Sequence, residues 1–271
     1  MHHTREAAVA GAFYPENSYT LATQIAHMLE QARTQLARAR VHPKALIVPH
    51  AGYMYSGPTA ALAYAQLASG RSTIRRVVML GPVHRVAVRG LALPKADTFA
   101  TPLGEVALDK AAVQTALACP KVVTSAQVHA SDHALEVQLP FLQTMLDHFT
   151  LVPLLVGDAS PGEVEQVLEA LWGGPETLIV VSSDLSHYLP YRIAQTIDSE
   201  TVHTILDLNA TLTHEEACGA TPVNGLILAA RRHGLKPVLL GACNSGDTAG
   251  DKHRVVGYAA MAFNAAAHAE Q

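Results

Sequence analysis

Three short apolar runs each stop at a histidine: Ala45-Leu46-Ile47-Val48-Pro49-His50, Val77-Val78-Met79-Leu80-Gly81-Pro82-Val83-His84, and Leu178-Ile179-Val180-Val181-Ser182-Ser183-Asp184-Leu185-Ser186-His187. Aliphatic runs of this kind, without polar alternation, read as strands covered on both faces. Such strands need helices above and below them, so the chain is constrained to a layered α/β sheet. In open α/β sheets, ligands bind outside the carboxyl ends of the strands. A histidine there is placed to act, whereas one inside a strand is placed to pack. Three such placements point to a single polar site with a metal.

The segments between the runs fit this reading. Residues 18–39 carry a helical face of Leu21, Ile25, Met28 and Leu29, and an Ala-rich helix spans about Pro58 to Leu67. Asp109 can cap a helix through Leu117. Leu135, Leu139, Leu142 and Leu146 form a helical stripe over 132–146, with Pro140 forcing a kink or a new start. Ser160-Pro161-Gly162-Glu163 is a capping box opening a helix to about Trp172. Ile193 to Leu208 and Thr221 to Arg232 read as helices, the second stopped by Gly234. Further strands are predicted at 122–123, 151–156, 238–240 and 255–263. Residues 88–93 and 104–108 read as a hairpin or side sheet. Without linkers or repeats, the expectation is one domain over 1–271, with a largely parallel or mixed central sheet flanked by helices.

Composition excludes several classes. The net charge is −4, and no basic stripe suited to phosphate backbones is evident, which argues against nucleic acid. No apolar stretch approaches the roughly 18 residues that span a bilayer. Met1 to Glu6 lacks the apolar core of a secretory signal. Cys119, Cys218 and Cys243 are odd in number and show no CxxC spacing, so reduced thiols in the cytoplasm are expected. The 15 histidines outnumber the 8 tyrosines and 5 phenylalanines, so the informative ones must be selected by their setting.

His50 precedes Ala51-Gly52-Tyr53, and His84 follows Gly81-Pro82, so small or turn-forming residues let a ligand approach both. Either could be satisfied by loop hydrogen bonds, but together they favour a joint role, since neutral imidazole is the commonest metal ligand. Asp184 can orient the His187 imidazole, or else cap a short helix. His133 and Glu136, three apart on the expected 132–146 helix, would share one face as ligands or an acid/base couple. Asp247 and Asp251 are the carboxylates best placed to join the histidines, with an Asx turn as the alternative. Cys243 adjoins this loop as a thiolate ligand, a redox centre or a packing residue, whereas Cys119 and Cys218 read as packing residues. Two histidines and a carboxylate suit non-heme Fe(II), and zinc would serve hydrolysis. No GxGxxG, P-loop or GxSxG signature supports nucleotide binding or a serine hydrolase.

Read in order, the segments Val9-Ala10-Gly11-Ala12-Phe13-Tyr14-Pro15, Pro49-His50-Ala51-Gly52-Tyr53, Gly81-Pro82-Val83-His84 and Asp132-His133-Ala134-Leu135-Glu136-Val137-Gln138-Leu139-Pro140 resemble the Memo family. Ser182-Ser183-Asp184-Leu185-Ser186-His187-Tyr188, Asn244-Ser245-Gly246-Asp247 and Val255-Val256-Gly257-Tyr258-Ala259-Ala260 continue the likeness. In bacteria and archaea its members are called AmmeMemoRadiSam system protein B. The resemblance implies the fold of class III extradiol dioxygenases, which open catechol rings with non-heme Fe(II). It places His50 and His84 on the metal histidines and His187, with Asp184 beside it, on the catalytic histidine. Animal Memo proteins place a Cys in the C-terminal loop, where this chain has none, so Asp247 is the preferred third ligand. Tyr53 and His133 would line the pocket. The expected activity is a dioxygenase-type oxidoreductase using Fe(II), with copper or zinc as other metals, on an aromatic or otherwise chelating small molecule. Two alternatives are a non-catalytic metal- or peptide-binding partner of AMMECR1-like and radical-SAM proteins, and a zinc-dependent hydrolase.

Overall fold

A computed structural model describes residues 2–36 and 42–265. The chain runs β1 (Thr4–Arg5), α1 (Ser18–Gln35), β2 (Ala45–Val48), α2 (Tyr53–Ala65), β3 (Arg76–Pro82), β4 (Leu91–Leu93), β5 (Thr98–Thr101), β6 (Gly104–Ala107), α3 (Lys110–Leu117), β7 (Val122–Thr124) and α4 (Ala126–Ala130). It continues through α5 (Leu139–Met145), β8 (Thr150–Val156), α6 (Pro161–Leu171), β9 (Thr177–Ser182), β10 (His187–Leu189), α7 (Tyr191–Leu206), α8 (Ala220–Arg232), β11 (Lys236–Asn244) and β12 (Val255–Asn264).

The main sheet has nine strands in the order β10-β12-β2-β9-β3-β8-β4-β7, with β11 also paired to β12. Strands β2, β9, β3 and β8 are mutually parallel. Strand β12 runs antiparallel to β2, β10 and β11, and β4 is antiparallel to β8, so the sheet is mixed. The three histidine-terminated runs become the neighbours β2, β9 and β3, with β9 in the middle. Their carboxyl ends therefore open side by side.

Successive strand residues face opposite layers, as the pleat requires. Leu46, Val48, Val77 and Met79 pack with Leu21, Ile25, Tyr64 and Phe141 of α1, α2 and α5. Ala45, Ile47, Val78 and Leu80 pack with Val164, Leu168, Leu226 and Ile227 of α6 and α8. Helix starts use the expected chemistry. Asp109 accepts from the Ala112 amide, and Ser160 and Glu163 form a reciprocal capping box.

Three local readings need correction. Helix α1 ends at Gln35, and residues 37–39 of the predicted helix lie outside the described residues. Segments 88–93 and 104–108 do not form a hairpin. Strand β4 enters the main sheet between β8 and β7, while β6 pairs with β5, which pairs in turn with β1 in a separate three-stranded sheet. The 132–146 helix is also shorter than its leucine stripe suggests. The Asp132 carboxylate takes the Ala134 amide at 3.0 Å, a local turn that competes with helix. A 3-10 turn follows at Glu136–Gln138, and α5 starts afresh at Leu139 with Pro140 in its first turn.

Candidate metal centre

His50 stands just past the end of β2, His84 just past the end of β3, and His133 in the loop before α5. One ring nitrogen from each lies within 4.8 Å of the other two. The rings stand 4.5 to 5.4 Å apart, His84 stacked on His133 and His50 edge-on to both. Gly81 permits this approach, because a Cβ there would sit 2.9 Å from Leu135 Cδ2 and 3.2 Å from Ala134 Cβ.

Proton accounting fixes which nitrogen of His50 is free. Tyr64 donates to Gln138 Oε1 at 2.9 Å, and Gln138 Nε2 donates to the Pro49 carbonyl and to Ser182 Oγ, each at 2.9 Å. Ser182 spends its only proton on the Ala134 carbonyl at 2.7 Å. The 2.9 Å contact between His50 Nδ1 and Ser182 Oγ therefore has the imidazole as donor, leaving a lone pair on Nε2. Asp132 does the same for His84, accepting from its backbone amide at 2.7 Å and from Nδ1 at 3.3 Å. Burial alone would push the Asp132 carboxyl up, but hydrogen bonds from His84 and Ala134 outweigh it and hold it below the usual carboxylate range. His133 Nδ1 is buried without a hydrogen-bond partner among the described residues. A buried nitrogen left unpaired costs free energy unless something else satisfies it, and a cation held with the two neighbouring lone pairs would do so.

Two of the imidazoles, His50 and His133, are held neutral, as ligation requires. Burial, reinforced by the neighbouring histidines, pushes His50 well below 6.5, and burial lowers His133 to about 4. Nearby His129, outside the cluster, is also lowered to about 4 by burial while its Nε2 meets the Ala92 carbonyl at 2.7 Å. In the unfolded chain these groups take up protons near pH 6.5. Their contribution is therefore complete above that pH and is lost as pH falls toward 4. Asp184 opposes them, because burial raises its carboxyl to about 7 and its contribution fades as pH rises from 3.8. Three histidines outweigh this, so the urea midpoint of metal-free protein should fall between pH 7 and pH 5. The H129Q variant should remove about 2 kcal/mol of that difference. Equal pH dependence in both proteins would refute the assignment of a neutral buried His129.

The sequence profile described as Memo-like protein matches residues 5–262. The chain belongs to the Memo family. Curated relatives described as MEMO1 family proteins include one from Metallosphaera sedula, 32% identical over 96% of this chain and 99% of that protein. Another from Ignicoccus hospitalis is 34% identical over 96% and 98%, and one from Aquifex aeolicus is 32% identical over the same shares. A crystal structure of an uncharacterized Escherichia coli protein has the same fold, with a TM-score of 0.52 at 14% identity over 80% of this chain and 98% of that one.

In this Memo family chain the cluster forms the floor of a cavity of about 550 Å³, whose walls include Phe13, Tyr55, Asp184, His187 and Tyr258. Asp247, expected as third ligand, does not join the histidines; the third imidazole is His133. Asp247 closes a capping box on the Asn244 amide, receives the Tyr191 hydroxyl, and faces a neighbouring cavity of about 300 Å³. Cys243 lies beside it, 3.1 Å from Thr59 Oγ1, and also lines that second cavity. Tyr53 is a core residue rather than a lining one, donating to the Val137 carbonyl at 2.7 Å, and Tyr55 takes the wall.

Glu136 is not on a helical face with His133. It is fully buried and holds Arg5, the Ala8 and Val9 amides and the Tyr14 hydroxyl. Asp184 lies in the site but turns to His50 rather than His187, taking the His50 amide at 2.7 Å and standing 3.9 Å from His50 Nε2. His187 lines the cavity, lowered chiefly by burial. Asp251 reaches the rim, its carboxylate occupied by the His253 and Arg254 amides. The sequence reading missed Cys218, whose thiol sits 3.3 Å from His50 Nε2 and is pushed up to about 12 by burial. Its neighbour Gly219, packed within 2.6 Å of Ser183 Cβ for an added methyl, was the available signal of a close approach.

Proposed function

We propose that this Memo family chain is a metal-dependent oxidoreductase of the dioxygenase type, acting on a small molecule with chelating oxygens. The observation that supports it is the convergence of three imidazoles on the floor of the cavity, with His133 Nδ1 buried and unpartnered among the described residues. Fe(II) is the proposed metal; when bound it would supply a redox-active Lewis acid with positions open to oxygen and substrate. His50, His84 and His133 would hold it, with Ser182 and Asp132 keeping two of the rings in register. Phe13 packs on His133 at 4.6 Å and helps shield that side of the cluster. His187, neutral in the cavity wall, would take a proton from a substrate hydroxyl and return it later. The Asp184 carboxyl, near neutrality in its affinity for a proton, positions His50 through the backbone.

A second reading follows from the donor set itself. Three imidazoles with an open fourth position are also a catalytic zinc arrangement, which would favour hydrolysis.

Anaerobic reconstitution with Fe(II), followed by oxygen-uptake assays on a catechol panel, separates these readings. We expect stoichiometric iron and uptake with at least one diol, and H187A should retain iron while losing about 10²- to 10⁴-fold in rate. No uptake with any diol despite bound iron would remove ring cleavage. Zinc in the native protein, together with ester or amide hydrolysis, would establish the second reading instead.

A further inference from the structure

The cavity that ends on the three histidines also has a rim, and its charge is uneven. Three charged side chains other than histidine line it: Asp184, Asp251 and Arg254. Both carboxylates face backbone. Asp184 takes the His50 amide at 2.7 Å, and Asp251 takes the His253 amide at 2.7 Å and the Arg254 amide at 3.3 Å. The Arg254 side chain, in contrast, forms no ion pair or hydrogen bond among the described residues. Its guanidinium lies over the Tyr188 ring, 5.0 Å from the centroid, with its N–H groups free for a ligand.

The backbone sets this pair with some care. Arg254 immediately precedes β12, whose Val256 is in register with His187 and whose Val255 is in register with Leu189. The strand pairing therefore fixes Arg254 relative to the His187–Tyr188 step. Tyr188 interrupts the register and has φ of 58°, a left-handed conformation that bulky residues adopt at a cost. The strain leaves a large aromatic 61% exposed at the mouth of the cavity, and the guanidinium lies over its face. This cation–π contact limits the freedom of the side chain, so less is lost when it grips a carboxylate in bidentate fashion. Phe13, Tyr55 and Tyr258 line the same cavity and supply flat apolar wall for a planar ligand.

We propose that the cavity selects a planar, aromatic or unsaturated acid, its carboxylate held at the rim by Arg254 and its chelating oxygens directed to the histidine floor. This names the substrate class of the site described above and rests on that reading for the metal end only. A neutral diol lacks the group that the rim is built to hold, whereas a dihydroxy aromatic carboxylate satisfies both ends.

The test compares 3,4-dihydroxybenzoate with 3,4-dihydroxybenzamide, which share the diol and differ in charge. Zinc-loaded protein, redox-silent, is titrated with each under argon by calorimetry, in wild-type and R254Q forms. Wild type should bind the acid about tenfold or more tightly than the amide, as expected for a charge-assisted pair, and R254Q should lose that preference. The preference should also weaken with added salt and return in part in R254K. Equal affinity for acid and amide in wild type, or equal weakening of both by R254Q, would overturn the proposal. If the protein takes up no metal, the metal reading fails separately. Benzoate and benzamide, titrated by calorimetry into metal-free wild type and R254Q, then decide the anchor alone. A benzoate preference lost in R254Q would support it, and no preference would end it.

Discussion

Replacing His133 with alanine should lower divalent-metal affinity by at least about a hundredfold, whereas D247N should leave it unchanged. Loss of a partner outside the ligand set typically costs 10- to 100-fold, so loss of one of three ligands should cost no less. His133 contributes one of the three converging nitrogens, and its Nδ1 has no protein partner to give up. Asp247 is already engaged with the Asn244 amide and the Tyr191 hydroxyl, and it lines a different cavity. Competition against a chromophoric chelator, with Zn(II) as the probe, measures both variants. A large loss in D247N with none in H133A would restore the two-histidine, one-carboxylate site.

The second large effect lies beneath the site. Glu136→Leu should destabilise the protein by about 3–5 kcal/mol, read from urea denaturation, because it strands a buried cation. Arg5 is 7% exposed and Glu136 0%, and their ion pair is accompanied by hydrogen bonds from Arg5 to the His129 and Asp132 carbonyls. The same carboxylate also holds the Ala8 and Val9 amides and the Tyr14 hydroxyl, which the variant would leave unpaired. The double variant R5M/E136L should recover much of the loss, since replacing both charges removes the uncompensated one. A single-variant loss below about 1 kcal/mol would mean that water compensates Arg5 after all.

The parts of the site that were readable in sequence were those set by strand ends. His50, His84 and His187 follow buried runs, and a parallel strand can end on only one side of the sheet, so their convergence followed from the pattern. Residues placed by loops were harder. Cys243 lies within β11 and Asp247 just after it; this strand is antiparallel to β12 and has an exposed face, so the carboxyl-end rule for parallel strands did not carry over. His133 and Glu136 were set on one helical face by a leucine stripe, but Asp132 captures the Ala134 amide and turns the chain there. One residue consequently faces the cavity and the other the buried Arg5. Cys218 gave little local warning, because its nearness to His50 depends on where α8 packs against the end of β9. The fold was read well where periodicity was strong, and least well at β4 to β6, whose short segments could pair in several ways.

The Tyr64, Gln138, Ser182 and His50 chain has a kinetic consequence. Every proton in it already has an acceptor, so a flip of the His50 ring would break its bond to Ser182 with no proton there to replace it. The lone pair is thus aimed before any ion arrives, and capture requires no rearrangement of that ligand. Loading would then be paced by passage through the rim and by the Cys218 thiol leaving His50 Nε2. The 3.3 Å contact between the Cys218 sulfur and His50 Nε2, rather than a refolded loop, is what an arriving ion would have to displace at that nitrogen.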